Sequence, residues 1–270
     1  MSALRSLPRA VRALARNPIL VVPMALFGLV QVPQFVVPPH QPILSALVSL
    51  GVTAVTVFVL PFVQGGAIAM ASEAVEGRTT LGTFLEEGVA NYVSLLAAYL
   101  AVFAVNVVLG IAMALVIFVG GVSYLTVGGR PNLVVLAIAA LLGVVFVLAY
   151  AVVALLVQFY AHAIVLDDTG VIQGFRHSIG VVRGALVSVL GYSAIVFLGS
   201  LLFGGTVGVA AVILTGPNLA GVRVGSLSPT ATIGLGVGYV LLVTLLTAVA
   251  LSYSVAFYRS IAPGWSATDA

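Results

Sequence analysis

Long stretches without a single ionic side chain limit this chain more than any other feature. No charged residue occurs between Arg16 and Glu73, Glu87 and Arg130, Arg130 and Asp167, Arg183 and Arg223, or Arg223 and Arg259. A helix needs about 20 predominantly apolar residues to cross the hydrocarbon layer of a bilayer. The first gap therefore holds two crossings, divided by Pro38-Pro39-His40-Gln41-Pro42, and every other gap holds one. The spans read from these gaps are 19–37, 43–71, 92–119, 133–166, 186–214 and 231–261. Only 6% of the residues are charged, against about 25% in soluble domains. A water-soluble fold of this length needs more polar surface than that, so lipid is the expected solvent. The fold class that follows is all-α: a polytopic membrane protein with six transmembrane helices, forming a single transmembrane domain over 1–270.

The first span is the weakest, because Pro23 and Pro33 interrupt it. Proline is tolerated in membrane helices where neighbours satisfy the freed backbone groups, and a re-entrant first segment is the alternative. No cleavable signal peptide is expected, because Arg is spread along the first 16 residues instead of being confined to a short basic head.

Arginine sets the orientation. There is no Lys, and with the N-terminus inside, Arg5, Arg9, Arg12, Arg16, Arg78, Arg176, Arg183 and Arg259 are cytoplasmic, leaving Arg130 and Arg223 outside. This is the positive-inside pattern, and it predicts a multi-pass protein of the cell membrane with both termini in the cytoplasm. The basic balance is thus a matter of topology, and nucleic acid is not an expected partner. The expected partners are the lipid bilayer and a membrane or cytoplasmic protein. Cys is absent, which removes disulfides, thiolate metal sites and thiol catalysis from consideration.

Three amphipathic helices are expected on the cytoplasmic side. In the first, Leu4, Leu7, Val11 and Leu14 form an apolar stripe beside Arg5, Arg9, Arg12 and Arg16, a pattern suited to the headgroup layer. In the second, Leu81, Phe84, Leu85, Gly88 and Tyr92 form one face and Thr80, Thr83, Glu86 and Glu87 another. In the third, Val171, Ile172, Phe175, Ile179 and Val182 face one way, and Arg176, Gly180 and Arg183 the other. Together they suggest three parallel repeats of interfacial helix, outward span and return span, at roughly 1–76, 77–169 and 170–264, with a short tail at 265–270. Each return span ends in a run of small and aromatic residues: GGAIAMA, FYAHAIVL and SYSVAFY.

Arg16-Asn17-Pro18, the loop Glu76-Gly77-Arg78 and the segment AIVLDDTGVIQGFRHSIGVVRG from Ala163 to Gly184 carry a resemblance. With them the chain resembles a broad superfamily of six-helix membrane proteins. That superfamily includes the membrane domain attached to some glycerophosphodiester phosphodiesterases and uncharacterised bacterial and archaeal families. The Lys-free, Ala/Gly/Val-rich composition looks most like its members from halophilic archaea. The resemblance implies fold and membrane location; the phosphodiesterase chemistry belongs to a separate soluble domain and is not carried over.

Candidate interaction residues are few. Asn106 lies near the middle of the third span, where an interhelical hydrogen bond is the expected role. No Asp, Glu or Arg occupies a span centre, which argues against proton-coupled transport or voltage sensing. His162, Asp167, Asp168 and His177 cluster in sequence at the inner end of the fourth span, but their spacing matches no recognised metal motif. Asp168 or Thr169 is expected to cap the helix that follows, and Asp167 or Asp168 to pair with Arg176 or Arg16. Gly65-Gly66, Gly204-Gly205 and Gly234-x-Gly236-x-Gly238 read as sites of close helix approach or local unwinding. Gly-x-Ser-x-Gly, His-Glu-x-x-His and Walker motifs are all missing. No catalytic residue, metal or cofactor is expected, and the chain reads as a non-enzymatic scaffold or accessory protein, with a permease or channel for an apolar or lipid-like solute as the alternative.

Overall fold

A computed structural model describes residues 2–36, 41–126, 133–215 and 229–262, and these are helical with short breaks. The helices are α1 (Ser2–Arg16), α2 (Val21–Val36), α3 (Pro42–Glu76), α4 (Leu81–Ala90), α5 (Tyr92–Thr126), α6 (Leu133–Val157), α7 (Tyr160–Leu166), α8 (Val171–Gly184), α9 (Leu186–Thr215) and α10 (Pro229–Ile261). Among the described residues four stretches are long and apolar enough to cross a membrane, namely Pro42–Glu76, Tyr92–Phe118, Leu133–Leu166 and Val240–Ile261. Two broken helix pairs, 3–30 and 171–202, raise the number to six if each counts as one span. Arg130 and Arg223, the two arginines expected outside, lie beyond the described residues.

The chain divides into two compact units, one of residues 1–92 with 184–270 and one of residues 93–183. In the first, α1 packs on α10, α3 and α9, α4 packs on α3, and α2 packs on α3 and α10. Its core lies at one end of the long helices, around Ile68, Met70, Val255, Phe257, Tyr258 and Leu20. Tyr192 of α9 stacks on Phe257 with ring centroids 4.4 Å apart.

In the second unit, α6 has no buried residue. Leu133, Leu141 and Leu148 are each more than 60% exposed. A helix this apolar and this uncovered is stable in lipid and not in water, where apolar patches of that extent are avoided. The helix of the fourth span is broken at Gln158-Phe159, which separates α6 from α7.

The runs GGAIAMA and SYSVAFY are almost wholly buried, and FYAHAIVL is buried at Phe159 and from Ala161 to Ile164. Each receives one amphipathic helix. Gly66 lies against Phe84 of α4, Ile164 against Gly174 of α8, and the Ala256 carbonyl accepts from Ser6 of α1 at 3.5 Å. Small side chains let backbones approach closely, which is how helices associate where lipid removes the hydrophobic drive. The docking directions differ, however. Gly66 with Phe84 and Phe62 with Gly88 run antiparallel, as do Ile164 with Gly174 and Phe159 with Ser178. In contrast, Tyr253 with Ala3 and Ala256 with Ser6 run parallel.

The faces expected for these helices need correction. On α1 the packed residues are Ala3, Ser6, Ala10 and Ala13 with Leu14, while Leu4 and Val11 stay 60% and 51% exposed. On α8 they are Gly174, Ser178, Val181 and Val182, with Ile172 outside. On α4 they are Phe84 and Gly88, with Leu81 and Leu85 outside. On α1 and α8 the docking face is built mainly on small and polar residues, and Leu4, Val11 and Ile172 are left for lipid; on α4 the aromatic Phe84 docks beside Gly88.

Candidate functional site at the helix ends

Within each unit, polar and charged side chains collect at helix ends. In the first unit the organising residue is Asn17, buried at the junction of α1 and α2. Its Nδ2 donates to the Gly77 carbonyl at 2.9 Å and the Ala13 carbonyl at 3.1 Å, and its Oδ1 accepts from the Thr79 N–H at 3.1 Å. Asn17 therefore closes the C-terminus of α1, whose last carbonyls lack partners within the helix, and clamps it to the α3–α4 loop. Asn17-Pro18 and Glu76-Gly77-Arg78, far apart in sequence, meet at this clamp.

Around it the acids are engaged. The Glu73 carboxylate accepts from the Thr79 and Thr83 hydroxyls at 2.8 Å each. Arg259 of α10 pairs with Glu76 and donates to the Ser72 hydroxyl of α3. Glu87 accepts from the Asn91 amide at 3.0 Å, at the C-terminus of α4. None of Asn17, Ser72, Glu73 or Thr79 stood out in the sequence as functional. The signal available was the Arg16-Asn17-Pro18 triplet, whose middle residue proves to be the link.

In the second unit the His/Asp cluster is split. His162 is buried on α7 and packs edge-on against Phe159, ring centroids 5.7 Å apart. Asp167 and Asp168 are exposed beyond the end of α7. His177 of α8 approaches Asp167, Nε2 to Oδ2 3.3 Å, in a contact of proximity and not an aligned hydrogen bond. Among the described residues no three His, Asp or Glu converge as a metal site would require.

The expected cap of α8 is not formed. Asp168 has φ 48°, a left-handed conformation that ends α7 and that Asp tolerates better than most residues. Gly170 precedes the first helical residue, and the Thr169 hydroxyl is buried without a hydrogen-bond partner. Arg176 and Arg183 are exposed. Neither Arg176 nor Arg16 pairs with Asp167 or Asp168 among the described residues; His177 takes the place expected for an arginine.

Ser178 was not singled out, yet it holds the broken span together. Its Oγ accepts from the Phe159 N–H at 3.1 Å and donates to the Leu156 carbonyl at 2.8 Å. Those are backbone groups at the break between α6 and α7, which hydrocarbon would leave unsatisfied. Tyr160 stacks on Phe175 beside it, 5.0 Å between centroids.

Within the spans, Asn106 donates to the Val102 carbonyl at 2.8 Å and accepts from the Tyr150 hydroxyl at 2.9 Å. This joins α5 to α6. A cleft of about 480 Å³ opens in the same pair of helices, lined by Met113, Val116, Ile117, Leu136, Ala139 and Gly143 among others. Its walls are apolar throughout. Gly66 is in close approach to Phe84, but a Cβ at Gly204, Gly205, Gly234 or Gly238 would meet open space, so close approach is not the reason for those glycines.

A family profile described as "Domain of unknown function (DUF7847)" matches residues 1–261. The chain belongs to the DUF7847 family. The match shows no relation to the glycerophosphodiester phosphodiesterases. No curated protein and no solved structure matches the chain. In this DUF7847 protein, then, the polar helix ends are defined by geometry alone: in the first unit a clamp at Asn17 and exposed arginines on α1, and in the second a helix break held by Ser178 and exposed arginines on α8.

Proposed function

We propose that this protein is a non-enzymatic scaffold of the cell membrane. In this reading six spans form three units, both termini are cytoplasmic, and α1, α4 and α8 make a collar at the inner face. The kinship with the membrane domain of glycerophosphodiester phosphodiesterases belongs to this proposal and concerns membrane placement alone. One observation carries the reading: Asn106, the polar residue near the middle of the third span, is used by the fold through Val102 and Tyr150, whereas Arg176 and Arg183 of α8 are exposed. Charges at the end of a membrane helix that do no work for the fold are available to another molecule. A protein partner with an acidic surface fits α8.

The test is recovery of co-purifying protein after gentle solubilisation of the full chain. Arg176→Glu with Arg183→Glu should reduce recovery of that partner at least about tenfold, since reversing a charge at an interface turns attraction into repulsion. Unchanged recovery defeats the reading. The absence of catalysis has its own test: a variant with His162, Asp167, Asp168 and His177 all replaced should retain full cellular function.

A second reading, passage of an apolar or lipid-like solute, draws on the cleft between α5 and α6. Apolar walls suit such a solute. If it holds, Ala139→Trp should block uptake of a fluorescent fatty acid into proteoliposomes, and equal uptake removes it.

A further inference from the structure

Helix α1 has three faces. With 3.6 residues per turn, Ala3, Ser6, Ala10 and Ala13 form one, Leu4, Leu7 and Val11 a second, and Arg5, Arg9, Arg12 and Arg16 a third, each about a third of the circumference. The first is buried in the fold; the other two are exposed. The axis of α1 is bent 96° from the helix that follows it. With α2 standing across the bilayer, α1 lies along its surface. Its apolar face then meets acyl chains and its arginines lie at the depth of the headgroups.

Arg78 joins them. It is exposed, and its neighbours Gly77 and Thr79 are both hydrogen-bonded to Asn17, the residue that follows Arg16. The clamp thereby places the α3–α4 loop beside the end of the cationic face. Among the described residues, three of the nearby acids are engaged elsewhere. Glu73 is occupied by two threonines, Glu76 by Arg259, and Glu87 by Asn91. Arg5, Arg12, Arg16 and Arg78 make no ion pair among the described residues.

From this we infer a binding surface for anionic glycerophospholipid on the cationic face of α1 and Arg78, with the lipid's phosphodiester held by guanidinium groups and its chains against Leu4, Leu7 and Val11. Guanidinium matches a phosphate oxygen pair in geometry as well as charge, and basic clusters beside a membrane helix attract anionic lipid. The inference rests on the membrane placement proposed above but not on the protein partner, because it concerns α1 and not α8.

The experiment uses the full chain in neutral detergent, with binding of phosphatidylglycerol and phosphatidylcholine measured by native mass spectrometry. Phosphatidylglycerol should bind at least about tenfold more tightly, on a scale of roughly fivefold per arginine near an anionic surface, and the preference should shrink as salt rises. The variant R5Q/R12Q/R16Q/R78Q should lose the preference, and R5K/R12K/R16K/R78K should keep most of it. Should the glutamine variant fail to fold, the lysine variant and the salt series on the natural chain still decide the matter. Equal binding of the two lipids, or a preference insensitive to salt, overturns the inference. Displacement of phosphatidylglycerol by millimolar inorganic phosphate also overturns it, reassigning the site to free phosphate. R176E/R183E should leave lipid preference intact, so loss of the protein partner and loss of the lipid surface are separate results.

Discussion

At the scale of single residues, the glycines of the docking surfaces differ in what stands opposite them. A Cβ on Gly66 runs into the backbone carbonyl of Phe84, while a Cβ on Gly174 meets Cγ1 of Ile164 at 2.8 Å. A flexible side chain gives way; a helix backbone does so only by moving the whole element. Gly66→Ala should therefore lose about 1–3 kcal/mol, the usual cost of overpacking, and Gly174→Ala distinctly less. Unfolding in detergent, followed by circular dichroism, ranks the two; equal loss contradicts the packing argument. Asp168 offers the opposite case. Its φ of 48° costs a non-glycine residue energy that glycine does not spend. Asp168→Gly should raise the unfolding midpoint by the equivalent of about 0.5–1 kcal/mol, and Asp168→Ala should lower it, since the carboxylate holds no helix cap whose loss would reverse the sign.

At the scale of elements, α1 is held at its C-terminus by one side chain. Removing Asn17 leaves the Thr79 N–H without its partner in a buried setting and the Gly77 carbonyl without one in a half-buried setting, and a buried unsatisfied group costs about 1–3 kcal/mol. Asn17→Ala should therefore destabilise the junction by roughly 2–4 kcal/mol and speed amide hydrogen exchange in α1 and the α3–α4 loop ahead of the rest of the chain. Uniform exchange across all helices would contradict a local clamp. The same helix shows where sequence reasoning reached its end. Periodicity established that residues 2–16 form a helix with an apolar and a cationic stripe, and the structure has both. It did not establish that the small residues Ala3, Ser6, Ala10 and Ala13 are the docking face, because hydropathy scores a bulky leucine above an alanine while lipid reverses the choice. Ser178 escaped for a related reason. A serine in a short helix has no compositional mark, and its role depends on a break in a helix that the apolar run between Arg130 and Asp167 gave no cause to expect. The runs GGAIAMA, FYAHAIVL and SYSVAFY were legible because small residues inside long apolar spans are a packing signal in their own right.

At the scale of the whole molecule, charge-free gaps fixed the apolar elements, and the described residues contain four to six helices suited to crossing a membrane. The proposed orientation rests on a separate argument, the eight-to-two division of arginine, and it makes a prediction that composition renders clean. The chain has no Cys, so any single cysteine placed in it is the sole target for a thiol reagent. In right-side-out vesicles or intact cells, Arg130→Cys and Arg223→Cys should react with a membrane-impermeant maleimide from outside. Arg78→Cys and Arg176→Cys should react only after permeabilisation. Reaction of position 78 in sealed cells would place the α3–α4 loop outside, and with it the end of α1 that Asn17 clamps to that loop. That result would carry α1 and its arginines to the outer face, against the rule that retains clustered arginine inside. A mixed result, with position 223 outside and position 130 inside, would instead locate the error between the third and fourth spans, because those two helices set the side of position 130 independently of α1.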